Sequence, residues 1–215
     1  MRYLYLHGFA SSPASRKARF FIDKLNGFGI RLEALDLAPD FKNLTISGQL
    51  AVVQEAAQDQ QVVLIGSSLG GYLAALYAAE HPEAVVRMVL MAPAFDFHRL
   101  WQGELGPQKL AEWRENGAIP IYHYGAGRET ALGFQFLEDA ARYSAFPNIK
   151  QPCLILHGLK DEVVPYEKSA QFAAAHPDNT KLVAFDSGHE LTDVLNEIWD
   201  KSSSFLSSTN HREPI

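Results

Sequence analysis

Short runs of apolar residues alternate with helical patterns along most of this chain, and that alternation constrains the fold more than any other feature. Each run is mostly continuous in apolar character and bounded by turn residues, as strands covered on both faces of a sheet require. The predicted strands are Tyr3–Leu6, Ile30–Leu35, Val62–Ile65, Val85–Met91, Cys153–Leu156 and Leu182–Phe185. The predicted helices are Ser15–Asn26, Leu44–Asp59, Leu69–Glu80, Glu167–Ala175 and Thr192–Phe205, the last capped by Thr192. Repeated β-α-β order predicts an α/β fold with a mostly parallel sheet and helices on both faces.

One stretch of the chain does not follow this alternation of strand and helix patterns. Residues 96–148 lie between two predicted strands and are rich in aromatic residues among glycines and charges. We interpret them as a short helical cap inserted over the edge of the sheet. The aromatic residues concerned are Trp101, Trp113, Tyr122, Tyr124, Phe134, Phe136 and Tyr143. They indicate either an apolar substrate pocket or ordinary packing of the cap on the core. The rest of residues 1–205 reads as one domain, and the polar tail 206–215 is predicted to be flexible.

Composition excludes several classes of function. The chain has 215 residues and a net charge of −6, with no cluster of Lys and Arg of the kind that contacts phosphates, so nucleic-acid binding is disfavoured. No stretch approaches the roughly 20 apolar residues of a membrane span, and the N-terminus lacks a secretory pattern. A cytoplasmic location is expected. The single cysteine, Cys153, lies in an apolar run and is interpreted as core packing.

The strongest chemical signal is Gly66-Ser67-Ser68-Leu69-Gly70, which follows a predicted strand and precedes a predicted helix. A Gly-x-Ser-x-Gly pattern in this context predicts a tight strand-to-helix turn that exposes the Ser68 hydroxyl near a helix N-terminus. Ser67 does not occupy the serine position of the motif. Ser68 is therefore the predicted nucleophile, and a glycine-rich turn with incidental serines is the alternative.

A serine hydroxyl needs a base that takes its proton. His189 follows the last predicted strand and the turn Ser187-Gly188, and it precedes the final helix, so it is the predicted base. The remaining histidines weighed for this role fit less well: His81 and His176 precede prolines at helix ends, His98 and His123 lie in the cap, and His211 lies in the tail.

The imidazole needs an acidic partner that fixes its tautomer. Asp161 lies in the loop after the penultimate strand, which gives the chain order Ser68, Asp161, His189. Glu162 is its neighbouring competitor. Asp96, after the strand that follows the nucleophile, is the more serious alternative.

The pattern also predicts an oxyanion hole. The amide of Leu69, directly after the nucleophile, is one expected donor, and the amide of Phe9 at the end of the first strand is the second. Gly8 lets the backbone approach closely, and His7 is expected to support this loop without serving as the base.

Taken together, His7-Gly8-Phe9, the segment around Ser68, His157-Gly158-x-x-Asp161 and Ser187-Gly188-His189 resemble the α/β-hydrolase superfamily, over about residues 2–205. The opening resembles short bacterial esterases, and the cap and the Asp161 loop resemble the small acyl-thioesterase and glucuronide-esterase branch. Larger members begin with an antiparallel hairpin that is absent here, so six strands are expected.

The resemblance implies hydrolysis of a small-molecule carboxylic ester or thioester through an acyl-serine, with no metal and no cofactor. A peptidase, or a hydrolase of carbon–carbon bonds, would use the same three residues, and a non-catalytic binding protein is a third possibility. The sequence leaves the physiological substrate and the oligomeric state open.

Overall fold

The computed structural model describes residues 1–208 and contains one six-stranded sheet in which every neighbouring pair of strands is parallel. The strand order is β2-β1-β3-β4-β7-β8, so the predicted α/β fold and strand number are confirmed. The strands are β1 (Arg2–Leu6), β2 (Leu32–Ala34), β3 (Val62–Ser67), β4 (Val85–Met91), β7 (Cys153–Gly158) and β8 (Thr180–Phe185). A separate antiparallel hairpin is formed by β5 (Ala118–His123) and β6 (Arg128–Gly133).

Successive residues of the central strands point into two different apolar layers. Leu4, Leu64 and Leu90 belong to one cluster, whereas Tyr5 and Ile65 belong to the other. Both faces of the sheet are therefore buried, which explains why its strands read as continuous apolar runs.

The helices divide between these layers. They are α1 (Arg16–Asn26), α2 (Ile46–Ala57), α3 (Leu69–Glu80), α4 (Phe97–Asn116), α5 (Gln135–Ala140), α6 (Tyr166–Ala175) and α7 (Leu195–Ser207). Residues of α1 and α7 pack in one layer, and residues of α2, α3, α6 and the cap pack in the other. No helix within residues 1–208 is long and apolar enough to cross a membrane.

The cap differs from the predicted helical insertion, because it contains the β5–β6 hairpin between α4 and α5. Gly106, with φ 71° and ψ 168°, and Pro107 interrupt α4. The hairpin is fastened at its base, where the Trp113 indole donates to the carbonyl of Leu132 at 2.9 Å and the Gly133 amide donates to Lys42 at 2.9 Å. These anchors join residues that are distant along the chain, so local patterning does not show them.

The last helix also differs at both ends. It begins at Leu195, with Val194 at the N-cap position, so the predicted capping role of Thr192 is wrong. Leu206 and Ser207 belong to α7, and Arg87 of β4 donates to the Phe205 carbonyl at 2.6 Å. The predicted flexible tail 206–215 thus begins inside the helix, and residues 209–215 lie outside the described residues.

Candidate active site

The turn between β3 and α3 holds Ser68 in a strained backbone conformation, with φ 54° and ψ −119°. Its amide donates to Met91 at 2.8 Å and its carbonyl accepts from Ala94 at 3.0 Å, so neighbouring backbone enforces the strain. The flanking glycines leave no space for a side chain. A Cβ on Gly66 would lie 2.4 Å from the Gly70 carbonyl oxygen, and one on Gly70 would lie 2.1 Å from that of Leu6.

His189 reaches Ser68 from the loop after β8. Its Nε2 atom lies 3.0 Å from the Ser68 hydroxyl oxygen, and its side chain is 15% exposed. The loop is tied on both sides of the imidazole, since the Ser187 carbonyl accepts from the Lys160 amide at 2.9 Å and the Glu190 carbonyl accepts from the Lys17 ammonium at 2.9 Å.

Asp161 completes this relay from the loop after β7. Its Oδ2 atom lies 2.8 Å from Nδ1 of His189, and its Oδ1 atom accepts from the amides of Val163 and Val164 at 2.9 and 2.8 Å. Burial of this side chain raises the pKa of its carboxyl, but hydrogen bonds from His157 and His189 outweigh burial and hold that pKa well below its usual range. The carboxylate is therefore ionised at neutral pH.

The two other candidates for the acid, Asp96 and Glu162, do not pair with His189. Asp96 is buried at the start of α4, and its carboxylate accepts from the Lys168 ammonium at 2.7 Å. Glu162 is exposed. Of the three candidates weighed for the acid, Asp161 is the one whose carboxylate contacts His189.

Sequence reasoning missed a second imidazole beside Asp161. His157 is fully buried at the end of β7, and its Nε2 atom lies 3.1 Å from Asp161 Oδ2 and 2.9 Å from the Val164 carbonyl. Both neighbours are acceptors, so Nε2 carries a proton, and Nδ1 pairs with the Ser169 hydroxyl at 2.7 Å. The available signal was a histidine inside a buried strand, four residues before the acid.

The predicted oxyanion donors lie next to Ser68. A Cβ on Gly8 would be 3.3 Å from Cβ of Ser68, which places the Gly8-Phe9 backbone against the nucleophile position. The amides of Phe9 and Leu69 make no hydrogen bond within residues 1–208, and Phe9 borders the same cavity as Ser68. His7 is buried, its Nε2 accepts from the Leu37 amide at 3.3 Å, and its Nδ1 donates to the Gly8 carbonyl at 2.8 Å. It supports the loop as expected.

Ser68 and His189 line a cavity of about 630 Å³, called the Ser68 cavity below. Of the cap aromatic residues, Tyr124 borders this cavity, whereas Trp113 and Phe136 are fully buried in packing. The Phe9 ring stacks on Phe136, at 5.5 Å between ring centroids, and so joins the oxyanion loop to the cap. For most of these aromatic residues, packing is the observed role.

Within residues 1–208, no group of three His, Cys, Asp or Glu side chains is arranged to hold a metal ion. Cys153 is fully buried, and burial raises the pKa of its thiol, so the cysteine packs in the core as predicted.

Residues 2–206 match the family described as "Uncharacterised protein family (UPF0227)". The chain belongs to this family. Its six-stranded parallel sheet and its structural neighbours show the α/β-hydrolase fold, as its motifs suggested.

Among curated relatives, rat palmitoyl-protein thioesterase ABHD10, a mitochondrial protein, is 30% identical over 156 residues, covering 67% of this chain and 50% of the relative. Monoacylglycerol lipase abhd6-B of Xenopus laevis is 27% identical over 146 residues, covering 66% and 41%. The chain thus aligns with about half the length of these relatives or less.

Solved structures show the same fold. Mouse ABHD10 superposes with a TM-score of 0.80 at 20% identity, covering 95% of this chain and 88% of that one. Est1E from Butyrivibrio proteoclasticus with bound ferulic acid superposes with a TM-score of 0.77 at 20% identity, covering 96% and 89%.

Proposed function

We propose that this protein is a serine hydrolase that cleaves carboxylic esters or thioesters of small molecules, with Ser68 as nucleophile, His189 as base and Asp161 as the acid that orients the base. One observation carries the proposal. Three side chains from distant parts of the sequence form a continuous hydrogen-bonded relay, with steps of 3.0 and 2.8 Å, at the carboxyl edge of one sheet.

The proposed reaction has two acyl-transfer steps. Ser68 Oγ attacks the carbonyl carbon while His189 Nε2 takes the hydroxyl proton, and Asp161 stabilises the imidazolium through Nδ1–H. The amides of Phe9 and Leu69 donate to the developing oxyanion. The leaving alcohol or thiol receives the proton from His189, and a water molecule, deprotonated by the same imidazole, then releases the acid from Ser68.

The relatives support the same reaction class. Their printed names describe a palmitoyl-protein thioesterase and a monoacylglycerol lipase, and both activities transfer an acyl group from oxygen or sulfur to water. These shared features favour ester or thioester hydrolysis over the peptidase and carbon–carbon alternatives.

The experiment is active-site labelling with a fluorophosphonate. The wild-type protein should be labelled stoichiometrically, and Ser68→Ala should abolish both labelling and hydrolysis of p-nitrophenyl esters. Ser67→Ala is the matched control, because Ser67 is adjacent and buried but does not contact His189. That variant should still be labelled. Folded wild-type protein that resists the probe would indicate a non-catalytic binding protein.

A substrate series then separates the two chemistries. p-Nitrophenyl esters and acyl-CoA thioesters of graded chain length should show which acyl group and which leaving atom give the highest kcat/KM.

A further inference from the structure

The wall of the Ser68 cavity formed by α1 is polar and basic. Ser15 is the N-cap residue of α1, Arg16 and Lys17 are its first two residues, and all three border the cavity. The first turn of α1 contains no acidic residue. The first-turn amides of a helix carry partial positive charge. The N-terminus of α1 and the side chains of Arg16 and Lys17 therefore all present positive charge.

Lys17 is a nearly buried cation whose nearest countercharge is the carboxylate of Glu190. It is 7% exposed, and its ammonium donates to the Glu190 carbonyl at 2.9 Å but makes no other hydrogen bond within residues 1–208. The Glu190 carboxylate lies 3.5 Å away on a side chain that is 75% exposed. Burial lowers the pKa of the ammonium, and the charges of Glu190 and Asp161 oppose that change. A solvated carboxylate at this distance compensates a buried ammonium only in part.

Tyr5 adds a buried donor beside these cations. Its side chain is fully buried and borders the same cavity, and its hydroxyl makes no well-formed hydrogen bond within residues 1–208. The hydroxyls of Ser15 and Ser67 are its polar neighbours. Burial raises the pKa of the phenol, so the group keeps its proton. The Ser15 and Ser67 hydroxyls are close enough to accept this proton weakly, and an anionic oxygen in the cavity would be a stronger acceptor for it.

We propose that this wall, formed by Tyr5, Ser15, Arg16 and Lys17, binds an anionic group of the substrate, either a carboxylate or a phosphate. The inference rests on the proposed function of Ser68 and narrows its substrates to anionic esters or thioesters. The buried packing of the cap aromatic residues agrees with it, because few of them are left to line the cavity as an apolar pocket.

The test compares esters that differ in one charge. On the leaving-group side, 4-carboxyphenyl butyrate is compared with its neutral amide, 4-carbamoylphenyl butyrate. On the acyl side, the 4-nitrophenyl monoester of terephthalic acid is compared with 4-nitrophenyl 4-carbamoylbenzoate. We expect kcat/KM to favour the anionic member of at least one pair by about 10-fold or more, as a charged hydrogen bond provides. A third phenyl butyrate, which carries a phosphate group at the 4-position, is compared with 4-carboxyphenyl butyrate. The ratio of their kcat/KM values shows whether the site prefers phosphate or carboxylate.

Variants then assign the preference to the wall. Arg16→Gln should lower the anionic-to-neutral ratio by about 10-fold, whereas Glu190→Gln should raise the ratio because it removes the countercharge of Lys17. Arg19→Gln is the matched control, since Arg19 is exposed on the same helix and does not border the cavity. It should leave the ratio unchanged. Added salt should reduce the preference, because Arg16 is exposed.

The possible failures are distinguishable. Neutral esters cleaved as fast as anionic ones in both pairs, by a protein that the fluorophosphonate labels, would overturn the inference and leave the proposed function intact. An anionic preference that survives Arg16→Gln and falls in Arg19→Gln would also overturn it. Absence of both labelling and hydrolysis would overturn the proposed function itself.

Discussion

At the scale of single residues, substitution can distinguish the two aspartates, Asp161 and Asp96, that were candidates for the acid. Asp161→Asn should lower kcat by about 10³- to 10⁴-fold, because an amide cannot hold the imidazole in the required tautomer. Asp96→Asn should keep most of the turnover and lose stability, since it leaves the Lys168 ammonium without its carboxylate partner. Steady-state kinetics and urea unfolding of both variants provide the measurement. The reverse pattern would identify Asp96 as the acid.

His157 is expected to act through Asp161. His157→Leu removes an N–H that donates to the Asp161 carboxylate, so kcat should fall by about 10- to 100-fold. His157→Gln retains an N–H donor, and we expect it to restore much of kcat while KM stays similar.

A second buried histidine provides the control for this prediction. His176 is also buried, and both of its ring nitrogens pair, with the Phe172 carbonyl at 2.9 Å and the Ile149 amide at 3.3 Å, so neither pairs with the three proposed catalytic residues. His176→Leu should reduce stability with little change in kcat. Equal loss of kcat in the two leucine variants would mean that His157 matters only for folding.

Most of the candidate site could be predicted from sequence because its groups follow strands and sit beside glycines. Ser68, Asp161 and His189 each come directly after a strand or its turn, and parallel strands bring those ends to one edge. His157 and Lys17 could not be assigned this way. Their roles depend on contacts across the fold, which no local pattern contains.

At the scale of elements, the contact between α3 and the end of β1 fixes the nucleophile turn. Gly70→Ala should lower the free energy of unfolding by about 1–3 kcal/mol or more, because the new methyl group would meet the Leu6 carbonyl. Gly103→Ala on α4 is the matched control, with nothing within 4 Å of the added carbon. It should stabilise the protein by up to about 1 kcal/mol, since alanine favours helix. Urea denaturation measures both, and a harmless Gly70→Ala would contradict the packing argument.

The cap was the element that the sequence predicted least well. Strands of the main sheet are continuous and apolar, but β5 and β6 have few buried side chains and lie between charged and glycine-rich segments. Their position depends on anchors such as the Trp113–Leu132 hydrogen bond, which joins α4 to β6 across 19 residues of chain. The sequence pattern therefore predicted no strand in residues 96–148 and favoured a helical cap.

At the scale of the whole molecule, Asp161 should make stability depend on pH. Its pKa is lower in the folded protein than the ordinary value of 3.8, so its contribution is complete above about pH 4 and is lost as the pH falls further. The urea midpoint of the wild-type protein should therefore decline between pH 5 and pH 2.5 more steeply than that of Asp161→Asn. Parallel declines would show that Asp161 does not couple folding to protons.

The hydrogen bond from Lys17 to the Glu190 carbonyl joins the first helix to the loop that carries His189. A ribosome makes Lys17 and Ser68 long before His189 and Glu190, so the nascent chain contains its nucleophile for an extended part of synthesis without its base. We expect such chains to be inert toward esters until the loop that carries His189 has left the exit tunnel and packed against the first helix.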